Sequence, residues 1–277
     1  MNICLIMDNP ETPRHPVIGV VLQKLSTKHR VLLLDVSTLT GAQAIAHAEM
    51  RPLADLYLLK SHAPQALEVA HHVEQRGALV INCWSASVAC QNRALMTQRM
   101  VEAGLPWPHS WIFPSLRNLL EHDEILSTSP FPLVIKSSYS YRGDLVDTVH
   151  NVEELRALVP RWSQEAVIIQ EFAVSDGWDI KLWVIDGQIF AARRCTPLEP
   201  GAPKEDFPLK AEELPGDWIQ LTLEVGRVFN LRLYGVDLLI TEQGPIMVDV
   251  NSFPGFRGVQ GADSALVAFV EQLCRER

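Results

Sequence analysis

No run of apolar residues in this 277-residue chain is long enough to cross a membrane, and no Walker A or GxGxxG sequence occurs. A spanning helix, a P-loop and a standard dinucleotide-binding Rossmann fold are therefore excluded. Cysteine is sparse: Cys4, Cys83, Cys90, Cys195 and Cys274 are odd in number, scattered, and contain no CxxC pair. That composition predicts reduced thiols of a cytoplasmic protein rather than a disulfide framework. The histidines, His71-His72 included, are too dispersed for a zinc site, and Ser85, Ser87 and Ser140 lack the flanking glycines of a nucleophile elbow. Positive charge is also short, with 24 Lys and Arg against 33 Asp and Glu and a net charge of −9. Broad binding to nucleic acid or to an anionic membrane is not expected of such a surface. The apolar stretch at residues 1–7 ends at Asp8-Asn9-Pro10-Glu11, too early for a signal peptide. There is no internal repeat or heptad array. What remains, 47% hydrophobic and 21% charged, is an ordinary globular composition with length enough for two or three subdomains.

The first third of the chain alternates short apolar runs with helical periodicity. Strands are expected at 3–7, 31–35, 55–59 and 79–82, with helices at 17–28 and 64–76, the second carrying Pro64 in its first turn. That order predicts a parallel βαβ sheet, whose strand ends (here Asp8, Lys60 and Asn82) line a crevice. A long helix is expected over 91–103, stopping at Gly104 before Pro106 and Pro108. Shorter units follow: strands at 109–113, 133–137, 145–149 and 167–172, and helices near 115–126 and 152–158. Runs at 178–185 and 189–194 flank Asp186-Gly187, a strong hairpin signal. The proline-rich segment 196–215 reads as a surface loop or lid. Helices are expected at 218–230 and 262–275.

The chemistry concentrates near the C-terminus. Two apolar runs, 234–240 and 246–251, are joined by Thr241-Glu242-Gln243-Gly244-Pro245 and form a hairpin. Asp237, Asp249 and Asn251 then share one face of adjacent strands, and three oxygen donors of this kind suit Mg²⁺. Four other features carry both a bland and a chemical reading. Lys136 ends an apolar strand, either snorkelling to solvent or meeting phosphate, and the following segment 137–144 brings hydroxyls, Arg142 and Gly143 that can cradle a polyphosphate. Gln170-Glu171-Phe172 is either a plain strand end or an adenosine contact with Glu171 on the ribose. Asp179 and Lys181 share a strand face, and either pair across to Arg193 or Arg194 or place Lys181 and one arginine on phosphate oxygens. Finally, Asn251-Ser252-Phe253-Pro254-Gly255-Phe256-Arg257-Gly258 is either a turn or a loop that lets substrate approach, with Arg257 on an anion.

In order along the chain, several of these elements resemble the ATP-grasp superfamily. They are Lys60-Ser61, Asn92-Arg93, Gly104-Leu105-Pro106, the strand ending at Lys136, Gln170-Glu171-Phe172, Asp179 to Lys181, Asp237, and Asp249-Val250-Asn251 with Phe253-Pro254-Gly255. The resemblance implies an α/β (α+β) fold of three subdomains: a parallel βαβ unit over 1–88, a central unit over 89–173 that covers ATP, and a C-terminal unit over 174–277 with the metal site. Two antiparallel sheets would grip the nucleotide. It implies ATP with Mg²⁺, or Mn²⁺ in its place, as one or two ions on Asp237, Asp249 and Asn251. Arg93, Lys136 and Arg142 would then touch phosphates, Gln170, Glu171, Phe172 and Asp179 would hold the nucleotide, and Lys181, Arg194 and Arg257 would act at the reacting groups. Two branches fit. The α-L-glutamate ligase branch matches Asn251 followed by Pro254-Gly255 and Gly258, whereas Asp249, the wording Asn-x-Phe-Pro-Gly-Phe and Lys60 resemble the inositol trisphosphate kinases. The chain departs from the first in having Arg93 where lysine is usual and no arginine in 196–215, and from the second in lacking its glycine-histidine segment. The leading expectation is a ligase joining a carboxylate to an amine through an acyl phosphate, on a small-molecule or peptide substrate. Small-molecule kinase is the alternative and a non-catalytic nucleotide-binding module the third reading. Neither nucleic acid nor membrane is expected as a partner, and a homodimer is left open.

Overall fold

The computed structural model describes residues 1–121, 126, 130–139, 146–162, 165–195 and 206–276. Its first sheet is parallel. Strands β1 (Asn2–Met7), β2 (Arg30–Asp35), β3 (Leu56–Lys60) and β4 (Leu79–Ile81) lie in the order β2-β1-β3-β4. Alternation sends Cys4, Ile6, Tyr57 and Leu59 to one face, where they pack beneath the helices Gly41–Glu49 and Pro64–Gln75. Ile3, Leu5, Leu56 and Leu58 go to the other. The helix Gly41–Glu49 was not expected from the sequence. Its start carries a clear signal nonetheless: Thr40 and Gln43 form a reciprocal capping box.

The second sheet is antiparallel, β5 (Ser110–Phe113), β6 (Leu133–Ser137), β7 (Val146–Val149) and β8 (Val167–Glu171) in the order β5-β8-β6-β7, with a core of its own around Ile135, Trp162 and Ile169. The third is also antiparallel: β9 (Trp178–Ile185), β10 (Gln188–Cys195), β11 (Asp206–Leu209), β12 (Leu233–Thr241) and β13 (Gly244–Ser252), in the order β11-β10-β9-β12-β13. Asp186 and Gly187 both take positive φ, 49° and 86°, as the tight hairpin between β9 and β10 requires. One face of this sheet lies under the helices Trp84–Gln91, Arg93–Glu102 and Gly216–Phe229. The other face contributes Trp183, Ile185 and Leu233 to the core shared with the first sheet and with the helices Ile18–Leu25 and Ala262–Arg275. The first and third sheets thus share one apolar core while the second keeps its own. Among the described residues no helix is long and apolar enough to span a membrane.

Three expectations are corrected. The helix expected over 91–103 starts later, at Arg93, because Asn92 adopts an extended conformation and caps Arg93–Glu102, its side-chain oxygen accepting the Leu95 N–H at 3.1 Å, while Gln91 ends the preceding helix Trp84–Gln91. Of the helix expected near 115–126, Leu116–Leu119 is helical and turns at 120–121, and residues 122–125 lie outside the described residues. Within 196–215, residues 206–209 form β11, paired with β10, so the segment is not all loop; residues 196–205 lie outside the described residues.

Asn82 was placed by its position in the crevice, yet its side chain is used inside the fold. Its amide donates to the Leu233 carbonyl at 2.6 Å and its oxygen accepts from the N–H groups of Arg232 and Leu233 at 2.9 and 3.0 Å, joining the end of β4 to the start of β12. Asn82→Ala takes the side-chain acceptor from the Arg232 and Leu233 N–H groups, while the Leu233 carbonyl keeps the Phe253 N–H. It is expected to cost about 2–4 kcal/mol, read as a lowered urea midpoint with unchanged slope.

Candidate active site

Side chains two apart on β9 face the same way, so Asp179, Lys181 and Trp183 form one row. Cross-strand pairs extend the row: Arg194 lies opposite Asp179, Asp237 opposite Lys181, Asp249 opposite Asp237, and Asn251 opposite Gly235. Directly opposed residues of an antiparallel ladder point to the same side. Five strand positions distant in sequence therefore present Lys181, Arg194, Asp237, Asp249 and Asn251 on one surface.

Two cavities meet there. One, of about 360 Å³, lies between the first and third sheets and is walled by Lys181, Arg194, Asp237, Asp249, Asn251, Arg257, His15 and the Pro254-Gly255 backbone. The other, also about 360 Å³, lies between the second and third sheets. Val134, Val146, Leu239 and Val248 supply its apolar walls, and Arg93, Lys136, Gln170, Glu171, Phe172 and Asp179 its rim. Asp237 and Asp249 border both. A larger cavity of about 640 Å³ lies behind Glu171-Phe172-Ala173, but no lysine or arginine lines it.

The electrostatics of the seam are dominated by the facing carboxylates. Burial and the neighbouring Asp249 push the Asp237 carboxyl above the usual range, while Lys181 opposes them. The Lys181 ammonium lies 2.5 Å from Asp237 Oδ2. Arg194 is gripped by Asp206 from β11, Nε and one terminal nitrogen at 2.5 and 2.7 Å, which raises its guanidinium further. The ambiguity between the two arginines resolves: Arg194 faces the cavity, and Arg193 turns to the opposite side of β10, its guanidinium 4.6 Å from the Trp178 ring centre. Two carboxylates and an amide oxygen fit a hard divalent cation, and such an ion would relieve the repulsion that raises Asp237. Among the described residues no group of three His, Cys, Asp or Glu gathers at a metal-sized site, since the third donor here is Asn251.

In the second cavity, Lys136 does not snorkel outward. Its Nζ donates to the Val248 carbonyl at 3.0 Å, crossing from β6 to β13. Arg93 is buried and donates to the Ser137 carbonyl at 3.0 Å, so the Asn92 helix break aims it at the end of β6. Gln170 spends its side-chain amide on Ser110 Oγ at 3.0 Å, and the Glu171 N–H is taken by the His109 carbonyl at 3.0 Å. The Glu171 carboxylate, 3.3 Å from His109 Nδ1, remains exposed toward the cavity rim. Arg142 lies outside the described residues. Sequence reasoning missed His15, Trp183 and Asp206. Of these only His15 had a usable signal: it sits in the first βα connection, where parallel sheets build their sites.

The family model described as a RimK-like ATP-grasp domain matches residues 91–268. A probable alpha-L-glutamate ligase of Xanthomonas oryzae pv. oryzae (strain MAFF 311018) is 27% identical over 220 residues, 75% of this chain and 73% of its own length. The human N-acetylaspartylglutamate synthase A is 22% identical over 265 residues, covering 88% of this chain and 67% of that protein. Among solved structures, a RimK domain ATP-grasp protein from Sphaerobacter thermophilus superposes with a TM-score of 0.76 over 99% of both chains at 16% identity. The D-alanine–D-alanine ligase of Bacillus anthracis complexed with ATP gives 0.74 at 17% identity, covering 100% of this chain and 98% of its own. At those identities the structural likeness concerns the fold.

Proposed function

The chain belongs to the RimK-like ATP-grasp family, and from that premise we propose that it is a Mg²⁺-dependent carboxylate–amine ligase working through an acyl phosphate. The observation that carries the reading is the convergence of Asp237, Asp249, Asn251, Lys181 and Arg194 where the two cavities join. The cavity between the second and third sheets takes the adenosine against Val134, Leu239 and Val248, with Glu171 on the ribose. Arg93 and Lys136 direct the phosphates toward the seam. Asp237, Asp249 and Asn251 hold the metal, which when bound neutralises phosphate charge. In the other cavity a substrate carboxylate oxygen forms a bond to the γ-phosphorus as the bond to ADP breaks. The amine nitrogen then bonds the acyl carbon, inorganic phosphate departs, and the amine loses its proton. Lys181 and Arg194 lie beside the transferring oxygens, so their charge is placed before the reaction starts. No protein nucleophile is needed. Curated relatives are named for joining glutamate, and glutamate is the first amine to test.

In an assay with ATP, Mg²⁺, candidate acids and L-glutamate, ADP and free phosphate are expected in equal amounts, dependent on both acid and amine. ADP with a new phosphate ester and no free phosphate would instead establish the kinase reading. Nucleotide binding without any turnover across the acid and amine panel would favour a non-catalytic module.

A further inference from the structure

His15 and Lys60 lie outside the segment matched by the family model, yet His15 walls the cavity that holds the metal-site carboxylates. The ring is fixed on one side. Its Nδ1 accepts from the backbone N–H groups of Val17 and Ile18 at 3.3 and 3.4 Å, at the start of the helix Ile18–Leu25. A nitrogen that accepts cannot carry the proton, so the neutral ring bears it on Nε2. Burial, then the charges of Arg257 and Lys60, hold His15 below the usual imidazole range, which keeps it in this neutral form at pH 7. The Nε2 edge is turned toward the Pro-Gly loop after β13: a Cβ on Gly255 would stand 3.0 Å from it. Lys60, whose charge acts on His15, ends β3 with its Nζ 5.7 Å from the Phe253 ring centre.

The connection after β1 therefore brings an N–H donor to the wall of the cavity that Lys181, Arg194 and Arg257 also line, with the charges of Arg257 and Lys60 acting on it. A ring locked as an Nε2–H donor cannot take a proton from the incoming amine, which argues against a general-base role. What this arrangement suits is an anion that is held but not activated. We propose that His15 is a specificity-determining residue whose Nε2–H, together with Arg257, binds a carboxylate of the amine substrate that takes no part in bond formation. The proposal rests on the ligase reading for its choice of probe, though not for its readout.

Binding of L-glutamate, L-glutamine and isoglutamine is measured by calorimetry on the full chain with Mg²⁺ and a non-hydrolysable ATP analogue. Glutamine lacks the side-chain carboxylate and isoglutamine the α-carboxylate, so one of the two should bind wild type more weakly than glutamate. His15→Phe should weaken glutamate binding about 10- to 100-fold, the loss of one hydrogen bond to a charged group. It should also erase the difference between glutamate and the weaker amide, as a double-mutant cycle requires of a direct partner. His15→Gln places an amide N–H near the Nε2 position and should recover binding to within a few-fold. Affinity for the ATP analogue should be unchanged in both variants. The proposal is overturned if His15→Phe binds all three probes like wild type, if the amides keep their discrimination, or if wild type binds none of them. His15-dependent binding in an enzyme that releases no amine-dependent phosphate would sink the ligase reading and leave standing the carboxylate-binding role of His15 alone.

Discussion

Asp249→Asn is expected to abolish turnover while leaving the protein folded and, without metal, no less stable than wild type. The substitution preserves shape on β13 and removes one of two carboxylates that face each other across the β12–β13 pair. In the folded protein Asp249 is one of the causes that raise the Asp237 carboxyl, so its charge is a cost in the metal-free site. Neutralising it relieves that cost but takes away a proposed metal ligand. The rate should fall on the order of 10²–10³-fold or more, the range seen when one preorganised electrostatic group is lost. Thermal unfolding in EDTA should give a midpoint equal to or above wild type, and the stabilisation conferred by Mg²⁺ with nucleotide should shrink. A variant turning over at the wild-type rate would remove Asp249 from the metal site.

Lys181→Met is expected to lose turnover by a similar factor, with the opposite effect on stability. Lys181 is opposite Asp237 in the register and 2.5 Å from its carboxylate, at 12% and 30% side-chain exposure respectively. Removing the ammonium leaves Asp237 and Asp249 facing each other with less compensating charge. Fully buried pairs cost about 3–5 kcal/mol when broken this way; with partial solvent access here about 1–3 kcal/mol is expected, measured in EDTA by urea unfolding. Added Mg²⁺ should recover much of that loss, because a cation on Asp237 and Asp249 supplies the missing charge. The two variants thus share a loss of rate and diverge in metal-free stability, which a general unfolding defect cannot reproduce. If Lys181→Met were as stable as wild type in EDTA, the ion pair would carry no weight in the fold.

The shared core also bears on how the site works. Trp183, Ile185 and Leu233 pack with Ile3, Leu5 and Leu58, so the first and third sheets share one core beside the cavity lined by His15 and Asp249. The second sheet, with its separate core, reaches the third through side chains such as Lys136 on the Val248 carbonyl. The residues proposed to read the substrate are therefore held on a common frame, as precise placement of reacting groups requires.

Much of this was readable along the chain, for a local reason. Strand alternation and turn chemistry are short-range, so Trp178–Ile185, the Asp186-Gly187 turn and the β12–β13 hairpin with Asp237, Asp249 and Asn251 on one face follow from periods of two and from glycine placement. The helix start at Asn92 is local too, since its side chain caps the Leu95 N–H, and only the preceding helix Trp84–Gln91 was not expected. Tertiary structure alone decided the rest. Whether Arg193 or Arg194 faces the cavity depends on a one-residue register against β9, which reverses every side chain, and the aromatic pair Trp178 and Phe207 takes Arg193 to the far side. Asn82 and Lys136 both end apolar strands, and only the packing of sheet on sheet spends one on the backbone of β12 and aims the other at the Val248 carbonyl of β13. His15 carried only the general signal of its place after the first strand, and what sets its ring against the site is Gly255, 240 positions later. The sequence by itself determined which groups could bind metal and phosphate; only long-range packing decided which of them share a cavity, since that depends on contacts between segments whose spacing along the chain carries no periodic signal.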